Sequence, residues 1–155
     1  RRMTPVPTPS APDSRIHKPA TAGIFKLART DLDGMLKAAD ELKLACFHVD
    51  LKDARNVPGF IRAMKRDLKL PEWFGNNLDA LNDCLTDFSW HPAPGYVILL
   101  DGLSSLSATP TSFAAFNQVL ASAVEEWKSR DVPFWIFYLT DTPDNATSAQ
   151  PQLFA

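Results

Sequence analysis

Between Lys69 and Lys128 the chain has no lysine and no arginine. Surfaces normally mix both signs, so the acids in that gap lack local partners and project a negative field suited to a cationic partner. The net charge of −2 hides this split. Residues 1–69 carry 14 basic and 8 acidic side chains, whereas residues 70–155 carry 2 and 10. Folding can return distant lysines to those acids and leave an ordinary surface; only the fold decides between the two. Cysteine is scarce as well. Cys46 and Cys84 stand outside any CxxC or Cys/His spacing, and two cysteines in a chain this size fit reduced core thiols better than a disulfide framework. No apolar run approaches the ~20 residues a membrane helix needs. No internal repeat is visible, and no glycine-rich phosphate loop follows a strand, so a nucleotide-binding reading is weak. His17, His48 and His91 are scattered without ligand spacing, so no metal or cofactor is expected.

What is present suits one α/β domain of ordinary size, since 45% of the 155 residues are hydrophobic. Residues 1–21 are rich in Pro, Thr, Ser and Ala and read as a flexible arm; residues 142–155 read as a loose tail, leaving 22–141 as the domain. Arg1-Arg2 is followed by Pro5, Pro7, Pro9 and Pro12 rather than a hydrophobic region, so a cytoplasmic location is expected. Strands are predicted at 23–28, 45–50, 96–101 and 134–139. Between them lie a helix with Leu32, Met35, Leu36 and Ala39 inward, one from Val57 to Leu68 opened by Pro58, a short one over 77–86, and a long one ending near Trp127. The strands are continuous apolar runs, the pattern of a parallel sheet covered on both faces.

The short helix concentrates the chemistry. Asn76 or Asn77 can cap it, and Leu78, Leu81 and Leu85 form its inward stripe with Cys84 beside them. Asp79 and Asp83 are one turn apart on the same face, flanked by Asn82 and Thr86, with Asp87 just beyond. Like charges at that spacing cost a few tenths of a kcal/mol. Asp79 recovers some of it from the helix N-terminus, and Asp83 recovers less. Such a face is either a solvated acidic surface or a site awaiting external cations. Trp73 and Phe74 precede the helix; either one stands exposed as an anchor beside the acids or both pack under the loop. Gly75 is expected to take a backbone angle that other residues resist.

The run Leu70-Pro-Glu-Trp-Phe-Gly75, continued by Asn77-Leu-Asp-Ala-Leu81 and Asp83-Cys-Leu-Thr86, resembles the signature of the barstar family, intracellular inhibitors of bacterial ribonuclease. Element order extends the resemblance from about Ala45 to Leu139. It implies a three-layer α/β fold with a mostly parallel three-stranded sheet and helices on both faces. To this the present chain adds an N-terminal strand and helix, expected as an extra edge strand and a cover for one face. The resemblance further implies a non-catalytic, immunity-type protein that plugs a ribonuclease active site. Asp83 would be its central acid, Asp79 the second acid, Trp73 the aromatic contact, Thr86 a polar contact and Glu126 a supporting acid. Phe74, Asn77, Asn82 and Asp87 complete the candidate surface. The chain departs from the family pattern in four places. Trp73 replaces the usual Tyr, Asn82 stands where the best-known member has an aromatic, Asp87 replaces a Gly and Phe88 a Trp. The acids are kept while the collar around them differs, which points to a basic nuclease or toxin other than barnase.

Two other readings belong beside that one. A non-enzymatic binding module with a basic, non-nuclease partner would need the same acidic face. An enzyme using Asp79 and Asp83 as an acid/base pair is disfavoured, because carboxylates one helical turn apart point the same way and do not flank a substrate. Nucleic acid is disfavoured as a direct ligand, because the face repels phosphate.

Overall fold

The computed structural model describes residues 23–71, 75–102 and 109–140. The expected arm, the expected tail, and Trp73 and Phe74 lie outside those residues. In chain order the elements are β1 (Gly23–Ala28), α1 (Leu32–Glu41), β2 (Ala45–Asp50), α2 (Val57–Leu68), α3 (Leu78–Leu85), β3 (Tyr96–Asp101), α4 (Pro110–Ser129) and β4 (Phe134–Thr140). Short 3-10 turns precede α1 at Arg29–Asp31 and follow α3 at Phe88–Trp90. The four strands form one sheet in the order β1-β4-β3-β2, and every pair is parallel. The sheet therefore has four strands rather than three, the fourth being the added β1 at the edge beside β4.

Residue parity along the central strands divides the core. Phe134, Ile136 and Tyr138 join Tyr96, Ile98 and Leu100 on the face covered by α2, α3 and α4. Trp135, Phe137 and Leu139 join Val97 and Leu99 on the other face, under α1. The added helix thus supplies one whole layer, as its expected position implied. Its inward positions Gly34, Met35, Ala38 and Ala39 are mostly small, which lets it lie close over Trp135 and Phe137. Leu36, expected inward, is instead 40% exposed, because the buried stripe falls one position earlier on Met35. The central strands are buried along nearly their whole length, as their unbroken apolar runs require, whereas β2 at the edge alternates. Edge position also separates the two thiols: Cys84 is buried as expected, but Cys46 is exposed on β2.

The open edge of β2 is stapled at one end. The Asp50 amide donates to Asp67 Oδ2 at 2.8 Å, and the Asp50 carbonyl accepts from Arg66 at 2.8 Å. Side chains from α2 thereby occupy strand groups that could otherwise pair with another chain. Arg66 in turn pairs with Asp67 at 2.7 Å and holds its carboxyl below the usual range.

Candidate functional site: an acidic helix held at both ends

Helix α3 has only eight residues, too few to persist on local propensity. Tertiary packing and its two ends hold it in place. Leu81, Cys84 and Leu85 are buried, and Leu78 packs against the same core. Burying each leucine contributes roughly 1.5–3 kcal/mol. At the N-terminus Asn77 Oδ1 accepts from the Ala80 amide at 2.7 Å, so Asn77 rather than Asn76 is the cap. The left-handed angle expected at Gly75 falls one residue later, on Asn76 at φ 58°. Asparagine tolerates that region better than other side-chain-bearing residues.

All four carbonyls of the last turn find donors. Thr86 offers its amide to Asn82 O at 2.9 Å and its hydroxyl to Asn82 O at 2.8 Å and Asp83 O at 3.4 Å. Trp90 Nε1 donates to Cys84 O at 3.1 Å, and Trp127 Nε1 donates to Leu85 O at 2.6 Å. A helix end leaves these carbonyls orphaned unless neighbours supply donors. Here two indoles do so, one from the 3-10 turn beyond α3 and one from α4. Trp127 also lies against Phe88, which is 2% exposed and stacks on Tyr96 with ring centroids 4.0 Å apart. Phe88 is therefore core and not part of any surface collar.

With the helix fixed, Asp79, Asp83 and Asp87 are exposed. Among the described residues none of the three has an ion-pair partner. Asp87 makes one local bond, accepting from the Ser89 amide at 3.0 Å. The described cations of the first half of the chain form no ion pair with these acids: Arg62, Lys65 and Lys69 on or after α2 are among them. The remaining candidates are placed differently. Asn77 and Thr86 are exposed and half-buried respectively, and both are engaged in capping. Asn82 is half-buried, and its Oδ1 lies buried without a hydrogen-bond partner among the described residues. Glu126 already has a cation, Arg130 at 2.7 Å within α4, so it does not share the unpaired state of the three aspartates.

The two tryptophans that anchor α3 were missed as site residues by sequence reasoning. Local pattern marks Trp127 only as the end of the long helix and gives no signal at Trp90. Their role depends on partners 6 and 42 positions away, which no local spacing encodes. No group of three or more His, Cys, Asp or Glu side chains suited to a metal ion is found among the described residues, and no helix among them is long and apolar enough to cross a membrane.

Together these features define a small parallel α/β protein with a short helix held at both ends, whose exposed acids have no ion-pair partner among the described residues. The family model described as Barstar (barnase inhibitor) matches residues 44–139, and the chain belongs to the barstar family. The matched stretch holds α3 and both anchoring tryptophans; β1 and α1 lie before it.

Proposed function

We propose that the protein is an intracellular, immunity-type inhibitor of a cationic ribonuclease or related toxin, acting in the cytoplasm by seating α3 in the enzyme's active site. It acts by occlusion and performs no chemistry. The observation that carries this reading is the set Asp79 and Asp83 on a helix held at both ends and Asp87 just beyond it, all exposed and without an ion-pair partner among the described residues. Carboxylates so held can stand where substrate phosphates would bind, and the arginines and lysines of the enzyme supply the missing charge. Because the helix is fixed beforehand, little ordering is left to oppose binding. Unpaired acids also steer a basic partner and raise the association rate at low salt. Trp73 and Phe74 are proposed as the neighbouring aromatic contacts, with Asn77, Asn82, Thr86 and Glu126 at the rim.

The test is RNA cleavage by barnase and by a panel of other cationic ribonucleases, titrated with the protein. Stoichiometric inhibition of at least one, weakened by salt, is expected. A second reading, a basic partner that is not a nuclease, is favoured by Asp87, an exposed acid where the family pattern has Gly. It predicts that no ribonuclease is inhibited and that a basic non-nuclease is retained from lysate and released by salt.

A further inference from the structure

Beyond the C-terminal end of α3 lies an open cleft of about 280 Å³, walled by Pro92 and Pro94, floored by Phe88, Tyr96 and Trp127, and rimmed by Asp87. Pockets for drug-sized ligands start at about 300 Å³, so this one suits a single side chain rather than a cofactor. Its floor is apolar and aromatic, and its one charge is negative. The Tyr96 hydroxyl is already spent, donating to His91 O at 2.9 Å and accepting from the Ala93 amide at 3.0 Å. Burial above all, with the charge of Asp87 behind it, pushes that hydroxyl above its usual pKa against the Ala93 bond. One oxygen of Asp87 is held by the Ser89 amide; the other has no donor among the described residues. Arg130 lies over the Trp127 ring at 4.8 Å but is tied to Glu126 and does not line the cleft.

We propose that this cleft receives one arginine or lysine side chain of the same cationic partner, the aliphatic stem lying on Phe88 and Trp127 and the charge meeting Asp87. This rests on reading α3 as a partner-binding helix, with which the cleft is continuous through Asp87. The two prolines keep the wall stiff, so the pocket exists before binding. Asp87 then selects among cationic partners, accepting those with a basic residue at this position.

The test needs no partner. N-acetyl-arginine methylamide is titrated into the labelled protein at low salt and followed by amide and indole resonances, with the uncharged citrulline analogue as control. Saturable shifts centred on the Ser89 amide and Trp127 indole are expected with arginine and not with citrulline. Asp87→Asn keeps an oxygen for the Ser89 amide and so keeps the turn; it should weaken binding by about threefold or more, while Asp83→Asn changes it by less than about twofold. Absence of a saturable shift, equal binding of citrulline, or equal loss in both variants would overturn the proposal. If arginine binds the cleft while no ribonuclease is inhibited, the cleft stands and the nuclease reading falls; the converse removes the cleft alone.

Discussion

Two groups of acids sit on this molecule in opposite conditions. At the C-terminal ends of the strands, Asp101 accepts from Arg29 at 2.6 and 3.2 Å, from the Gly102 amide at 2.7 Å, and lies 3.0 Å from His48 Nε2. Arg29 above all holds its carboxyl well below the usual range, at about 2. Asp67 is likewise held by Arg66. On α3 and just beyond it, Asp79, Asp83 and Asp87 have no side-chain partner among the described residues, and Asp87 alone accepts a backbone amide, that of Ser89. Neutralised acids fasten the fold: Arg29 leaves the turn after β1 and ties the added N-terminal unit to the end of β3. Unneutralised acids cost the fold a little, and on the proposed reading a partner brings the cations. The contrast then separates acids that serve stability from acids proposed to serve a partner.

Substitutions should respect that division. The largest effect is expected from Asp83→Ala, with roughly 3 kcal/mol or more lost from partner binding, over a hundredfold in affinity. Stability should hold or rise by a few tenths of a kcal/mol as repulsion with Asp79 is relieved, read by urea denaturation. Next comes Trp127→Phe, which orphans the Leu85 carbonyl and should cost about 2 kcal/mol of stability. Because that indole anchors α3, partner affinity should fall with it; unchanged affinity would mean that the helix is held without it. Raising salt from 0.05 to 0.5 M should slow partner association on the order of tenfold, measured by stopped flow, with little change in melting temperature. The smallest effect is Asp101→Asn, about 1 kcal/mol of stability given the exposure of Arg29, with partner affinity unchanged. Its pH dependence has a definite sign. The folded-state value is depressed, so the stabilisation is complete above the ordinary carboxylate pKa near 4 and is lost as pH falls through about 2. The gap between wild type and Asp101→Asn should therefore close on acidification.

Much of the fold could be read from local pattern. The unbroken runs at Tyr96–Asp101 and Phe134–Thr140 are buried central strands, and Pro58 and Asn77 open their helices where expected. The acidic face of α3 was legible because i, i+4 spacing alone places Asp79 and Asp83 together. Less legible was anything depending on which strand neighbours which. Cys46 and Cys84 look alike in sequence, yet one lies on an edge strand and the other under a helix. Phe88 reads as part of the exposed signature but folds inward, because the 3-10 turn points it at Tyr96. Whether the acids would find cations was the question that spacing could not answer; it required knowing that α2 keeps Arg66 for Asp67 and that Arg29 goes to Asp101.

The central claim is that the unpaired acids of α3 are there for a cationic enzyme. It is tested most directly by titrating cationic ribonucleases with wild-type protein, Asp83→Ala and Asp101→Asn in parallel and measuring residual RNA cleavage. The account predicts that wild type and Asp101→Asn inhibit at one equivalent while Asp83→Ala, equally folded, does not. Inhibition that survives Asp83→Ala and is lost with Asp101→Asn would contradict it.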